Sequence, residues 1–227
     1  MPGNAPPVAT EREAISTYLR QQHDGIRFAA YGLTDEQAHQ VSSRSAISIA
    51  NLVKHVTHTE RTWMERARAG AVLPADWSHG ETGRSPESPK DRPMADRAAW
   101  SHGETGRSPG SAKEYGDDWN ADGETIDDLM AAFDAVARDT EAAALDESLD
   151  LDQPVPVPRD APWFPKDIDA WSVRWVYFHL IEELARHAGH ADSVREHVDG
   201  ATMYELMAGA EGWPETPWMK PWRPPAA

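Results

Sequence analysis

VRWVYFHLIEELARHAGHADSVREHV, residues 173–198, is the stretch of sequence that decides the fold. Its apolar residues recur every three or four positions, which is the spacing of one face of a helix. Ser172 precedes the stretch as a candidate N-cap, and Gly200 follows it as a candidate C-terminal stop. The pattern therefore predicts one long amphipathic helix of roughly seven turns.

The same helix carries a group of candidate metal ligands in the segment EELARHAGH, residues 182–190. Glu183 and His187 lie four residues apart and therefore project from one face. His179 lies one turn earlier, and His190 lies three residues later. Glu182 falls about 100° from Glu183 around the helix axis, so we expect it to face solvent. A solvated charged face would show the same spacing, but charged groups directed at a core require a partner, which favours a cation site.

The second predicted helix begins near Ser45 or Ser48 and ends at Gly70. His55 lies close to its apolar stripe, so we expect this side chain to point into the protein. His58 lies one turn along, near the same face, where it would support the ligands or line a pocket. Apolar residues of the stripe are Ile49, Leu52, Val53, Val56 and Trp63.

Two further long helices complete an all-α four-helix bundle that we assign to one domain, residues 1–227. The first starts at Thr10, where Glu13 completes a capping box, and a short helical piece follows from Thr34. The third starts near Thr125. The segment PVPVPRD, residues 154–160, is interrupted by proline and predicts a loop.

The connection between the second and third helices contains WSHGETGRSP twice, at 77–86 and 100–109. Its polar, glycine-rich composition cannot bury a core, so we interpret residues 77–122 as a duplicated-sequence surface loop. His79 and His102 are weak candidate ligands there. The tail, residues 201–227, contains three of the ten tryptophans, which predicts packing over the bundle. A pocket wall or a dimer contact would be the alternative use of these rings.

Composition excludes several classes of function. The formal net charge of -16 opposes binding to nucleic acid and to anionic membranes. The chain has no cysteine, so a metal site must use His, Asp or Glu, and a reacting thiol must come from outside. No apolar stretch approaches the roughly 20 residues that span a bilayer. The N-terminal residues lack the pattern of a signal peptide, which favours a cytoplasmic protein.

Two long segments, residues 51–70 and 179–207, resemble the DinB-like superfamily. The string EELARHAGHAD is similar to its actinobacterial branch, which includes mycothiol-dependent maleylpyruvate isomerases and thiol S-transferases. The resemblance implies a four-helix bundle with a divalent metal at one end. It implies the ligands His55, Glu183 and His187, where many relatives have histidine in place of the glutamate.

The resemblance implies a metal-dependent thiol transferase or isomerase that activates a thiol such as mycothiol against a small electrophile. Zinc is the first expectation, with nickel, iron or manganese as alternatives, and a homodimer is compatible with the resemblance. We assign His190 as the candidate acid or base, with His58 behind it. Arg186 and Arg195 are interpreted as surface residues paired with acidic neighbours, with contact to an anionic substrate as the alternative.

Two other classes of function remain open at this point. One is a non-catalytic DinB-like protein that binds a metal or another ligand. The other is a non-haem iron oxygenase, since two histidines and one carboxylate also form the ligand triad of those enzymes.

Overall fold

A computed structural model describes residues 4–70, 116–158 and 164–224. Its four long helices confirm the all-α bundle: α1 (Glu11–Ala30), α3 (Ile49–Ala69), α4 (Ile126–Leu145) and α5 (Val173–Asp199). Shorter elements are α2 (Asp35–His39), a 3₁₀ turn (Asp117–Trp119), β1 (Pro154–Pro156), β2 (Ala170–Ser172) and α6 (Met203–Ala210). Both copies of WSHGETGRSP, with His79 and His102, lie outside the described residues.

Side-chain caps begin the long helices at the predicted positions. The Thr10 hydroxyl accepts from the Glu13 backbone N–H at 3.2 Å, and the Glu13 carboxylate accepts from the Thr10 N–H at 3.1 Å. Ser48 forms the same reciprocal arrangement at α3, and the hydroxyls of Thr125 and Ser172 accept from the backbone N–H three residues on at α4 and α5. These caps satisfy backbone donors that have no partner within the helix, so short-range chemistry fixes where each helix starts.

Helices α3 and α4 run parallel to each other. Lys54 near the start of α3 pairs with Glu124 just before α4, and Arg68 near its end pairs with Asp139 farther along α4 at 2.7 Å. The chain between them must therefore return along the length of the bundle. The 56 residues between Ala69 and Ile126 provide that return.

Helix α1 packs between α4 and α5, and α3 packs on the same two helices from the opposite side. Glu11 pairs with Arg174 at 2.7 Å, start to start, so α1 and α5 are parallel. Arg12 at the start of α1 donates to the Leu149 carbonyl beyond the end of α4 at 2.7 Å, so those two helices are antiparallel. The buried side chains where the four helices meet include Leu19, Leu52, Phe133, Tyr177 and Leu180.

The prediction of a loop at residues 154–156 is wrong, because these residues form β1, paired antiparallel with β2. The Val173 N–H donates to the Gln153 carbonyl at 3.0 Å, and the Val157 N–H donates to the Asp169 carbonyl at 2.9 Å. Ladder bonds recur at alternate residues, so both prolines fall at positions whose N–H is not needed for pairing.

The C-terminal tail begins with α6, a helix that the sequence pattern did not predict. Arg195 on α5 contacts the tail through Trp222, whose ring lies 4.7 Å from the guanidinium. The Arg195 side chain is fully buried and pairs with Asp199 at 2.9 Å. The interpretation of Arg195 as a surface residue is therefore wrong. Trp213 and Trp222 pack on a small apolar cluster, whereas Trp218 is 76% exposed.

Within the three described ranges, every helix is too short or too polar to cross a membrane.

Candidate metal centre

The structure brings together the three predicted ligands, which come from two antiparallel helices. His187 Nε2 lies 3.2 Å from Glu183 Oε2 on α5, as their four-residue spacing predicts. The His55 ring, on α3, lies with its centroid 4.9 Å from that of His187. All three side chains are partly buried, with 15%, 31% and 18% of His55, Glu183 and His187 exposed. The group therefore lies at the α3–α5 interface and is open on one side.

His55 is held by the 3₁₀ turn that precedes α4. Its Nδ1 lies 3.0 Å from Asp118 Oδ2, and its ring stacks on Trp119 at 3.7 Å between centroids. Burial lowers the pKa of His55 to about 4, the charge of His187 acts in the same direction, and together they outweigh the hydrogen bond and charge of Asp118. His55 is therefore neutral at neutral pH, which is the form that binds a metal.

Glu183 remains ionised. The hydrogen bond from His187 lowers the pKa of the Glu183 carboxyl, and the charges of neighbouring histidines add to this against the opposing effect of burial. Burial, and then the charge of His187, lowers the pKa of His190. The site thus holds one carboxylate beside His55 and His190, whose pKa values burial lowers.

A second group of possible ligands shares Glu183. In the part of the chain that the structure describes, His179, Glu182 and Glu183 are the set of three whose ligand atoms come within 4.8 Å of one another. His55 and His187 do not belong to that set. Glu182 is 53% exposed, as expected, and it pairs with Arg186 at 3.3 Å, which confirms the predicted surface pair. A cation at this second group would compete with Arg186 for the Glu182 carboxylate, and water would compete as well because Glu182 is exposed.

The two candidate acid or base residues lie in different surroundings. His190 is partly buried on α5, three residues beyond His187. His58 is exposed, and its Nε2 lies 3.5 Å from the Thr62 hydroxyl oxygen on the same helix. His58 therefore lies on the outer side of α3, whereas the ring of His55 faces α5.

The Glu183–His187 pair fits a divalent cation, whereas the ligand atoms of His55, Glu183 and His187 do not all lie within 4.8 Å of one another. Bonds of about 2.0–2.2 Å from an imidazole nitrogen and a carboxylate oxygen place two tetrahedral donors roughly 3.3–3.5 Å apart. The separation of 3.2 Å between His187 and Glu183 is close to that value. Two imidazoles and one carboxylate also leave coordination positions for a substrate, the pattern of a catalytic site.

An aromatic wall lies beside the metal centre and consists of Trp63, Trp171, Trp175 and His179. It was not predicted from the sequence. Trp171 and Trp175 stack at 3.9 Å, and Trp175 stacks on His179 at 4.8 Å. Trp63 contacts all three rings edge-on or tilted. His179 Nε2 at the end of this column lies 3.8 Å from Glu183 Oε1, so the wall leads directly to a proposed ligand. Trp175 and His179 share one face of α5 through their i, i+4 spacing, and Trp171 precedes the helix four residues before Trp175; this spacing is the signal that would have found the wall.

A buried ion cluster behind the centre was also missed. His23 places Nε2 3.1 Å from Glu60 and Nδ1 2.9 Å from Glu141, and His23 and Glu60 are fully buried. Glu60 also borders a narrow cavity that Glu183 and His187 line from the other side. His23 follows Leu19 by four residues within the buried stripe of α1, so a polar residue in an apolar stripe was the available signal.

A family model described as Mycothiol-S-transferase matches residues 14–200, a range that includes His55, Glu183, His187 and the aromatic wall. A search of curated proteins found no match.

Proposed function

The chain belongs to the mycothiol-S-transferase family, and we propose that it is a metal-dependent enzyme that joins a low-molecular-weight thiol, such as mycothiol, to a small electrophile. The observation that carries the proposal is the convergence of His55 with the Glu183–His187 pair at the α3–α5 interface. We prefer this set to the one with His179 and Glu182, because its histidines are better buried and Glu182 already pairs with Arg186.

With the proposed ligands, a bound divalent cation is not fully neutralised. His55 and His187 contribute neutral imidazoles and Glu183 contributes one negative charge, so a divalent cation held there keeps a net charge of about +1. Such a cation, with zinc as our first choice, would lower the pKa of a neighbouring thiol and so generate the nucleophile. Since the chain has no cysteine, no internal thiol competes for the cation or for the electrophile.

His190 is the proposed proton acceptor. Because its pKa is lowered, it is neutral at pH 7 and can take the proton as the thiol S–H bond breaks. The sulfur electron pair then forms the S–C bond, and the leaving group departs with the electrons of its bond to carbon. In an addition to a double bond, the proton returns to the neighbouring carbon instead. His58 is exposed, so we assign it at most a supporting role.

The aromatic wall supports an electrophile with an apolar body. Trp171, Trp175 and His179 stack on one another, so the electrophile would meet the partly buried edges of this column, which ends beside Glu183, where the thiol would react. Thiols of this kind are kept reduced in the cytoplasm, so we place the reaction there.

The proposal is tested by conjugate formation between mycothiol and an aromatic electrophile, followed with purified protein after metal analysis. We expect activity that a chelator removes and zinc restores. Glu183→Gln should abolish it, while His190→Gln should lower kcat about 10²–10⁴-fold with metal content unchanged. His197→Gln is the matched control, because His197 is exposed at the far end of α5.

Two results would point to other functions. Bound iron together with oxygen consumption would indicate an oxygenase that uses the same ligands. Metal bound at His55, Glu183 and His187 without turnover of any thiol would indicate a binding protein.

A further inference from the structure

We propose that Asp118 is a positioning residue for His55: it fixes the imidazole so that Nε2, and not Nδ1, is the nitrogen that binds the cation. The inference rests on the proposed metal centre and extends it to the connection between α3 and α4. Asp118 is separated from His55 by 63 positions in the sequence, and it reaches the ring through the 3₁₀ turn Asp117–Trp119.

A hydrogen bond joins the His55 ring to the Asp118 carboxylate. His55 Nδ1 and Asp118 Oδ2 are 3.0 Å apart, and an ionised carboxylate only accepts hydrogen bonds. Nδ1 must therefore carry the proton and donate it. In a neutral imidazole the other nitrogen then keeps its lone pair, so Nε2 is the atom available to a metal.

The other ring nitrogen of His55, Nε2, has a hydroxyl as its neighbour. The Thr59 hydroxyl lies 3.4 Å from it, one helical turn along α3. A hydroxyl can donate to a lone pair and can rotate away, so Thr59 is compatible with Nε2 as the acceptor nitrogen. The contacts on the two nitrogens thus agree on one tautomer.

The face of the His55 ring is also fixed, by Trp119. Trp119, the next residue after Asp118, stacks on His55 with an interplanar angle of 12° and also meets the His187 ring edge-on at 5.6 Å. The Asn51 side chain donates to the Trp119 carbonyl at 2.8 Å and so ties the turn to α3. The Asp118 carboxylate contacts the edge of the His55 ring and the Trp119 indole contacts its face. Residues that do not bind the metal themselves commonly orient metal-binding histidines through such contacts.

The test compares Asp118→Asn with Asp117→Asn by measuring zinc affinity in competition with a chromophoric chelator. Both substitutions remove one negative charge from the same turn, but Asp117 is exposed and only Asp118 contacts His55. We expect zinc affinity to fall about 10–100-fold in Asp118→Asn and to change less than about twofold in Asp117→Asn. Circular dichroism of the metal-free variants verifies that each is folded.

A second measurement needs no variant of Asp118. Nitrogen-15 NMR of the metal-free wild-type protein reports which imidazole nitrogen carries the proton, and His55→Gln identifies the His55 signals by their loss. We expect a proton on Nδ1 in the wild-type protein. A proton on Nε2, or equal zinc affinities in the two aspartate variants, would overturn the inference. Absence of zinc binding by the wild-type protein would refute the proposed centre instead, and the NMR tautomer would still decide the role of Asp118.

Discussion

Replacing His23 with glutamine tests whether the buried ion cluster stabilises the bundle. His23 bridges Glu60 and Glu141 across three helices, and both His23 and Glu60 have no exposed surface. Glutamine preserves the approximate volume and can still hydrogen-bond to one carboxylate, but it cannot carry a positive charge. The substitution therefore leaves the Glu60 carboxylate buried without a cation.

The expected loss is large. Removing one partner of a buried ion pair costs about 3–5 kcal/mol, since the remaining charge is no longer compensated. Because glutamine retains a hydrogen bond, we expect the lower end, about 3 kcal/mol of the free energy of unfolding. In a chain of this size that corresponds to a fall in Tm of roughly 6–12 °C.

The loss should depend on pH. Burial alone lowers the pKa of His23, but hydrogen bonds to Glu141 and Glu60 and their charges outweigh it, so the pKa is raised. The stabilisation from His23 is then complete below its ordinary pKa of about 6.5 and disappears as pH rises through the folded value. Burial raises the pKa of Glu141, but the hydrogen bonds and charges of His23 and Arg20 outweigh burial, so the pKa is lowered. The stabilisation from Glu141 is therefore present above its ordinary pKa of about 4.3 and is lost as the pH falls below that value.

Urea unfolding at pH 5.5 and pH 9, followed by circular dichroism, measures both effects. We expect the difference between wild type and His23→Gln to be largest at pH 5.5 and smaller at pH 9. His197→Gln is the control, and this exposed histidine should change stability by no more than about 0.5 kcal/mol. A loss below about 1 kcal/mol at pH 5.5, or the same loss at both pH values, would refute the reasoning.

Two further predictions concern the tail and are measured by urea unfolding. In Gly209→Ala the added Cβ would lie 2.2 Å from the Trp222 carbonyl oxygen, so we expect a loss of about 1–3 kcal/mol. Gly189→Ala, also within a helix but with no atom within 4 Å, should instead gain about 0.5–1 kcal/mol, and equal effects would contradict the packing. Arg195→Met removes buried donors to two backbone carbonyls and should cost about 2–3 kcal/mol and expose the tail to protease. Exposed Arg186→Met should cost under about 1 kcal/mol, and a similar loss in both variants would count against the role of Arg195.

The parts of the fold that sequence predicts are those fixed by residues close in the chain. Thr10, Ser48, Thr125 and Ser172 begin helices because each satisfies backbone donors two or three residues away. The shared face of Glu183 and His187 follows from helical geometry in the same way. Such features need no knowledge of how the helices pack.

Features that depend on distant contacts were not predictable from periodicity. Asp118 meets His55 across 63 sequence positions, and nothing in the local pattern of either residue indicates the other. The pairing of β1 with β2 depends on the alternation of ladder bonds, which proline content alone does not reveal. Spacing identifies the pair on α5 and predicts that His55 points into the protein, whereas the assignment of His55 as a ligand came from the family resemblance.

The parallel arrangement of α3 and α4 makes the protein tolerant of changes in length. Helix α3 has 21 residues and is about 32 Å long, a distance that roughly ten extended residues can cover. The 56 residues of the return connection exceed this several-fold, and the closure entropy of a loop grows only with the logarithm of its length. Gaining or losing a segment as long as the 23-residue offset between the two WSHGETGRSP copies would change the free energy by only about 0.5 kcal/mol. Duplication in this connection is therefore almost without energetic consequence, provided that Asp118 still reaches His55.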